Sequence, residues 1–312
     1  MEIRNLGQSG LRVSSIGLGC NNFGGRIDEA ATKLVIHKAL DLGITLFDTA
    51  DVYGERGGSE AVMGRILGDD RKRIVLATKF AAPMDDSGEK VGGSRQYIMA
   101  AVEDSLRRLK TDWIDLYQMH RTDPRTPIDE TLRALDDLIR QGKVRYIGCS
   151  NFPAWEMVDA AWTARSAVVN GFVSCQDEFS LIHRNAEAEL IPAARKLGFG
   201  LLPYFPLASG LLTGKYRRNT PLPAGTRLAK TQRLADRYLT ERNWAMAERL
   251  GDFVEARGRS MLELAFSWLL AQRPVASVIA GATRPEQLEQ NVKAGDWALT
   301  MEELAEVDRI AA

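Results

Sequence analysis

Four side chains able to move or steady a proton follow short apolar runs in this 312-residue chain. Asp48 and Tyr53 come after one run, Lys79 ends a second, and His120 ends a third. A phenol has a pKa of about 10, and a neighbouring ammonium group stabilises its anion. A buried lysine keeps its charge only beside a carboxylate. These residue types predict a chain in which Asp48 orients Lys79 and Lys79 tunes the Tyr53 phenol.

His120 adds a hydrogen-bond donor that can orient and polarise a carbonyl oxygen. The group best served by all four side chains is a carbonyl that gains a proton on oxygen. Its carbon must then receive a hydride, which no amino-acid side chain supplies, so a nicotinamide cofactor is implied. Each residue alone is more often a cap, a surface charge or a satisfied core group. The interpretation depends on their occurring together.

Eight short apolar runs alternate with segments of helical periodicity. The runs cover residues 15–18, 44–48, 74–79, 114–118, 144–148, 172–176, 200–204 and 277–280. Most lack polar alternation, as expected of strands buried on both faces. Regular alternation of strand and helix favours parallel strands. Eight units predict an α/β fold, a (β/α)8 TIM barrel, with residues 1–312 in a single domain.

Capping residues predict where three of the connecting helices begin. Asp28 is placed to cap a helix whose apolar stripe includes Leu34, and Ser94 is placed to cap another. Thr126 precedes Pro127, which predicts Thr126 as the N-cap and the proline as the first helical residue.

Active sites of such barrels lie at the C-terminal ends of the strands. The polar residues that end the predicted strands are Asp48, Lys79, His120, Ser150, Asn151 and Gln176. Two other segments interrupt the alternation. Residues 2–14 predict an N-terminal β-hairpin that closes the barrel floor. Residues 208–239 predict a long loop at the C-terminal face, basic apart from Asp236, of the kind that often forms a lid.

The composition argues against several other classes of protein. Lys plus Arg and Asp plus Glu both number 41, so no basic field favours nucleic acid or an anionic membrane. Cys20, Cys149 and Cys175 lack the number of a disulfide framework, and no Cys/His spacing suggests a metal. The N-terminus has no long apolar run, so we expect neither a signal peptide nor a membrane span. A cytoplasmic globular protein is expected.

Five motifs, in order along the chain, resemble the signature of the aldo-keto reductases. They are FDTADVYG at 47–54, LATK at 76–79, LYQM at 116–119 before His120, GCSNF at 148–152 and GATRPEQLEQNV at 281–292. The resemblance covers almost the whole chain. It implies a barrel that binds a nicotinamide dinucleotide without a Rossmann domain, and the chain accordingly lacks GxGxxG.

The resemblance also implies roles for individual residues. Tyr53 would be the general acid in reversible reduction of an aldehyde or ketone to an alcohol by direct hydride transfer. Lys79 and Asp48 would tune it, and His120 would orient the carbonyl. The implied cofactor contacts are Cys20, Asn21, Asp48, Ser150, Asn151, Gln176, Tyr204, Phe205, Pro206, Leu207, Ala208, Gly210, Lys215, Gly281, Thr283, Arg284, Gln287, Gln290 and Asn291.

Within that set, the resemblance assigns Ser150, Asn151 and Gln176 to the nicotinamide carboxamide. Tyr204 would stack on the nicotinamide ring. Pro206, Leu207 and Lys215 belong to the segment expected to fold over the pyrophosphate.

The adenosine end favours NADPH over NADH, because Arg284 could pair with a 2′-phosphate. Some members carry Lys where Gly281 stands and Arg where Gln287 stands, and Gln290 replaces a frequent Glu. Phe205 stands where a small polar residue is often found. These departures leave fewer cations for the phosphate.

The substrate is a small-molecule carbonyl compound, and candidate pocket residues are Asn21, Asn22, Phe23, Phe80 and Arg121. The asparagines suit a polyol or sugar-like aldehyde, and Arg121 or the arginines of residues 208–239 suit an anionic one. Two other functions were considered. A cofactor-sensing regulatory subunit, resembling potassium-channel beta subunits, remains open. A short-chain dehydrogenase requires Tyr-x-x-x-Lys, which none of the seven tyrosines provides.

Overall fold

The computed structural model describes all residues from 1 to 312, and its centre is a sheet of eight parallel strands. In chain order, these strands are β3 (Ile16–Gly19), β4 (Leu46–Asp48), β5 (Val75–Phe80), β6 (Ile114–Met119), β7 (Val144–Ser150), β8 (Ser174–Glu178), β9 (Gly200–Tyr204) and β10 (Val278–Gly281). From β3 to β9 each strand pairs with the next, and β10 pairs with β3. A bridge between Leu201 and Val275 brings the two ends of the sheet together.

The predicted (β/α)8 barrel is therefore confirmed, and all eight predicted strands lie within two residues of an observed one. The predicted and observed strands agree because the strand side chains are buried on both faces of the sheet. Every residue of β6, for example, is buried, so the strand has no polar alternation to read.

The N-terminal hairpin is also confirmed. Strands β1 (Ile3–Asn5) and β2 (Arg12–Ser14) pair antiparallel. From the hairpin, Leu6 and Val13 are fully buried against barrel residues that include Leu46, Leu116 and Leu202. The hairpin thus covers the end of the barrel opposite the C-terminal face.

Twelve helices surround the strands. They are α1 (Glu29–Asp41), α2 (Tyr53–Ile66), α3 (Arg95–Leu109), α4 (Ile128–Arg140), α5 (Ala154–Ala167), α6 (Leu190–Leu197), α7 (Arg227–Lys230), α8 (Gln232–Tyr238), α9 (Glu241–Glu255), α10 (Met261–Ala271), α11 (Pro285–Ala294) and α12 (Met301–Ile310). None has both the length and the apolar character needed to cross a membrane.

Two of the three predicted helix caps are present. The Ala31 amide donates to Asp28 at 2.8 Å, and the Tyr97 amide donates to Ser94 at 3.3 Å. The prediction for Thr126 is wrong by one residue. Pro127 is the N-cap of α4, and the Thr126 hydroxyl donates to Asp123 at 2.9 Å instead. A nearby carboxylate has drawn the hydroxyl away from the helix end.

The predicted apolar stripe of α1 needs a correction at Leu34, which is 61% exposed. The buried positions of this helix are Thr32, Val35, Ile36, Ala39 and Leu40. The core-facing side therefore excludes Leu34, although it includes its neighbour Val35.

The predicted long loop at residues 208–239, called the lid below, is more ordered than expected. It begins with a short 3-10 helix, Ala208–Thr213, and ends with α7 and α8. Leu228, Leu234 and Tyr238 are buried, which docks these two helices on the barrel. Its glycines and prolines, which all lie between Gly210 and Gly225, had suggested irregular structure throughout.

Candidate functional site

Three neighbouring strands and one helix start bring the four predicted chemical groups together. Asp48 ends β4, Lys79 lies near the end of β5, and His120 directly follows β6. Tyr53 begins α2, where the backbone passes through four left-handed residues, 54–57. A Cβ at Gly54 would lie 2.5 Å from the Phe23 carbonyl oxygen, so only glycine fits directly after the tyrosine.

The Lys79 ammonium group is completely buried and satisfied by three oxygens. It donates to Asp48 Oδ2 at 2.7 Å, to the Thr49 carbonyl at 2.8 Å and to Tyr53 Oη at 3.5 Å. Burial alone would lower the Lys79 pKa, but the Asp48 charge and Tyr53 outweigh it and raise that pKa. The lysine therefore stays cationic beside the phenol.

The other oxygen of Asp48 accepts two amide hydrogen bonds. Gln176 Nε2 lies 2.9 Å from Oδ1 and Gln118 Nε2 lies 3.1 Å from it. These contacts fix the rotamer of the carboxylate and hence the position of Lys79. The sequence analysis missed Gln118, although it ends the predicted fourth strand and its inward direction follows from strand alternation.

The Tyr53 phenol lies between opposing influences. Burial raises the pKa of Tyr53, and Lys79 opposes that shift without cancelling it. The ammonium group thus lowers the Tyr53 pKa as expected, but burial outweighs it and the net pKa lies above the ordinary value of a phenol. The Lys79 ammonium nitrogen also lies 4.9 Å from the phenol ring centroid, so the two side chains are held in one arrangement. A protonated phenol is the form that can donate a proton.

His120 contacts the tyrosine edge-on, with ring centroids 5.8 Å apart. Its Nδ1 atom is buried without a hydrogen-bond partner. Burial, with the nearby cations of Lys79 and Arg121, lowers the His120 pKa to about 3. The imidazole is therefore neutral, with one nitrogen able to donate and one able to accept.

A second polar group continues along the rim from His120. Asn151 donates to the His120 carbonyl at 2.9 Å and to Ser150 Oγ at 3.0 Å, and it accepts from the Tyr204 hydroxyl at 2.7 Å. Asn151 adopts a left-handed backbone, with φ 57°. The contact with Asn151 fixes the Tyr204 ring at the end of β9.

These residues line one groove of about 840 Å³ across the C-terminal face. Predicted residues that line it are Cys20, Asn21, Asn22, Asp48, Tyr53, His120, Ser150, Asn151, Gln176, Tyr204, Phe205, Pro206, Leu207, Gly210, Lys215, Gly281, Thr283, Arg284, Gln287, Gln290 and Asn291. Lys79 lies behind Asp48 and Tyr53.

Four predicted site residues lie elsewhere. Phe23 and Phe80 are fully buried in the core, and Phe80 stacks on Tyr117 at a centroid distance of 4.7 Å. Ala208 is buried at the start of the lid, and Arg121 is exposed outside the groove. The structure therefore brings together one continuous set, but it leaves out most of the proposed substrate pocket.

The groove also has lining residues that the sequence analysis did not single out. Arg26 follows β3, and Arg227 begins α7 in the lid. The Arg227 guanidinium carbon lies 4.9 Å from the Phe205 ring centroid, and neither arginine makes an ion pair. The sequence analysis did not predict Arg26, and it included Arg227 only as one of the arginines of residues 208–239.

The far end of the groove is built at β10 and the start of α11. Gln287 Oε1 accepts from the Thr283 amide at 2.7 Å. A Cβ on Gly281 would lie 3.0 Å from Asn22 Nδ2, so the glycine keeps this part of the groove open. Arg284 is the N-cap residue of α11 and forms no ion pair. This end offers amides, a hydroxyl and a free cation.

The family is shown by comparison with known proteins. The model of the Aldo/keto reductase family matches residues 15–312. The chain therefore belongs to the aldo/keto reductase family.

Three relatives span nearly the same length. An uncharacterised oxidoreductase, YrpG, of Bacillus subtilis is 40% identical, covering 97% of this chain and 93% of its own. The L-glyceraldehyde 3-phosphate reductase of Escherichia coli K12 is 34% identical, covering 99% and 92%. A probable voltage-gated potassium channel subunit beta of Oryza sativa subsp. japonica is 36% identical, covering 95% and 92%.

The chain is thus an oxidoreductase of a family that reduces carbonyl groups with a nicotinamide cofactor. Its residues fit such a group. The groove is open, amide and hydroxyl groups and cations line it, and Gly281 keeps its far end clear.

Proposed function

We propose that this protein reduces small-molecule aldehydes or ketones to alcohols, reversibly and with NADPH, and that residues 1–312 act as one domain. The observation that carries the proposal is the buried Asp48–Lys79–Tyr53 chain opening on a groove beside His120. Nothing else in the groove combines a protonated acid with a buried cation that can stabilise its anion.

Tyr53 acts as the general acid of reduction. Its hydroxyl donates a proton to the carbonyl oxygen, and the resulting phenolate is stabilised by the Lys79 ammonium group 3.5 Å away. Asp48 keeps Lys79 charged and in place throughout. In the reverse direction the phenolate takes the proton from an alcohol.

His120 orients the carbonyl oxygen toward Tyr53. A neutral imidazole donates one hydrogen bond without competing as an acid. Its edge-on contact with the phenol ring places both donors on one side of the groove. A carbonyl oxygen held by both would point its carbon toward the middle of the groove.

A nicotinamide cofactor, when bound, supplies the hydride that the side chains cannot. We assign Ser150, Asn151 and Gln176 to its carboxamide and Tyr204 to the face of its ring. The amide and hydroxyl groups can both donate and accept, as a carboxamide requires. A hydrogen bond from the Tyr204 hydroxyl to Asn151 holds the tyrosine ring in place. Lys215 and Arg227 supply cations for the diphosphate.

The preference for NADPH rests on Arg284, a groove-lining guanidinium without a carboxylate partner. Replacing it with alanine should raise the KM for NADPH about tenfold or more and leave the KM for NADH nearly unchanged. Arg309→Ala, on the exposed surface of α12, is the matched control. Roughly equal affinity of the wild type for both cofactors would contradict the preference.

The central experiment follows NADPH oxidation with a reactive aromatic aldehyde in the wild type and in Tyr53→Phe. Losing a positioned general acid should lower kcat by about a hundredfold or more. Cofactor binding, measured separately by quenching of tryptophan fluorescence, should be retained in the variant. A wild type that binds NADPH but turns over no carbonyl in a broad panel would sink the proposal and favour a cofactor-sensing role.

The substrate panel should include phosphorylated as well as neutral hydroxyaldehydes. One relative is named for a phosphorylated aldehyde. Arg26, which lines the groove without an ion pair, provides positive charge for such a substrate. Asn22 is less available for hydroxyl groups, because it is buried and donates to the Ala282 carbonyl.

A further inference from the structure

A buried carboxylate outside the chemical groups joins the barrel to the lid. Glu178 is the last residue of β8, two positions after Gln176, and only 4% of it is exposed. Tyr238 Oη donates to its Oε1 at 2.5 Å, and Arg237 forms an ion pair with its Oε2. Both partners are the final residues of α8, where the lid ends.

The same contact reaches the groove through aromatic packing. The Tyr238 ring lies edge-on to Phe205, with centroids 6.5 Å apart, and Phe205 lies edge-on to Tyr204 at 5.3 Å. The guanidinium group of Arg227, at the start of α7, lies over the ring of Phe205. Fixing the end of α8 therefore fixes the lid residues that face the groove.

The remaining contacts of the lid do not reach the barrel strands with directional bonds. Arg218 forms ion pairs with Glu241 and Glu248, but both carboxylates belong to α9. Leu228 and Leu234 are buried, but apolar packing is not directional and leaves the helices able to shift. The Asn243 side chain donates to the Tyr238 carbonyl at 2.9 Å, which holds the backbone next to the following helix. Only Glu178 joins lid side chains to a barrel strand by hydrogen bonds. These bonds are charge-assisted and therefore stronger than hydrogen bonds between neutral groups.

We propose that Glu178 is a positioning residue that latches the lid through Tyr238 and Arg237 and thereby limits how fast the cofactor leaves. The inference rests on the proposed function for its cofactor, but the latch itself is a property of the protein alone. Its failure can therefore be separated from failure of the proposed function.

The first test measures lid opening without any cofactor. Limited trypsin digestion should cleave the lid, which carries exposed basic residues such as Arg217 and Lys230. Cleavage there should be about tenfold faster or more in Glu178→Ala and in Tyr238→Phe, because a charge-assisted hydrogen bond is lost. Glu187→Ala, which removes only a pair with Arg184, is the matched control and should match the wild type.

The second test measures release of NADP⁺ by stopped-flow tryptophan fluorescence on the same proteins. The latch variants should release it about tenfold faster or more, with a smaller change in the single-turnover rate of hydride transfer. A merely structural role would change thermal stability without changing release. Tyr238→Phe removes the hydrogen bond to Glu178 but keeps the buried ring, so it still tests the latch if Glu178→Ala does not fold.

Wild-type rates of lid cleavage and NADP⁺ release in a folded Tyr238→Phe would overturn the latch. Faster lid cleavage with unchanged release would overturn the claim that the latch limits how fast the cofactor leaves. A wild type that binds no nicotinamide dinucleotide would instead contradict the proposed function, while faster lid cleavage in the variants would still support the latch.

Discussion

At the scale of single residues, the site depends on a balance between burial and charge. Burial raises the Tyr53 pKa and the Lys79 ammonium opposes it, so the phenol stays protonated in the protein alone. Burial lowers the His120 pKa to about 3, so the imidazole stays neutral. The sequence predicted the partners but not the outcome, because burial depends on how the surrounding strands pack.

A pH profile tests these protonation states. With Tyr53 as the proposed general acid, reduction requires the protonated phenol, and a raised pKa extends that form to higher pH. The rate of reduction, as kcat/KM measured between about pH 5 and 11, should therefore stay level up to the usual tyrosine pKa of about 10 and fall only above it. His120 is already neutral, so no break should occur near its usual pKa of about 6.5. A break there that disappears in His120→Asn would contradict this account.

The buried pair of Asp48 and Lys79 makes a second prediction at this scale. Asp48→Asn leaves the Lys79 ammonium without a carboxylate, which should lower the free energy of unfolding by about 3–5 kcal/mol. The double variant Asp48→Asn/Lys79→Met removes the uncompensated charge and should recover part of that loss. Chemical unfolding followed by tryptophan fluorescence measures both. A double variant less stable than Asp48→Asn alone would contradict the prediction.

At the scale of helices and strands, local signals predicted what local forces determine. Asp28 and Ser94 cap their helices because nothing nearby competes for their side chains. Thr126 does not, since Asp123 lies within reach through the fold of the loop. The lid helices were missed for a similar reason, because buried Leu228 and Leu234 stabilise segments too short to form alone.

The packing of α2 on α3 predicts opposite effects for two helical glycines. At Gly64 an added Cβ would lie 2.2 Å from the Arg108 carbonyl oxygen, whereas at Gly251 in α9 nothing lies within 4 Å. Gly64→Ala should therefore destabilise the protein by about 1–3 kcal/mol. Gly251→Ala should stabilise it by about 0.5–1 kcal/mol. Thermal unfolding of the pair compares them directly, and similar shifts for both would show that the helices separate easily.

At the scale of the whole molecule, the strand ends and the lid contribute different parts of one groove. The strand-end groups were predictable because parallel strands converge at one face and polar residues there stand out. Arg26 was not, and Arg227 was predicted only as one of the lid arginines, since the two come from segments distant in sequence whose meeting depends on how the lid docks. Phe80 shows the opposite error: it follows Lys79 in sequence but points into the core.

A ligand that spans such a groove should stabilise the whole protein, because it binds the strand ends and the lid at once. Free NADP⁺ at about 100 times its Kd should raise the free energy of unfolding by about 2.7 kcal/mol. Adenosine at the same concentration should stabilise the protein less. By the proposed assignment it would occupy only the end of the groove near Arg284, so its affinity should be lower. Thermal unfolding with each compound, together with tryptic cleavage of the lid, measures both effects. Protection of the lid by adenosine as strong as that by NADP⁺ would show that the two ends of the groove are not bridged by the cofactor.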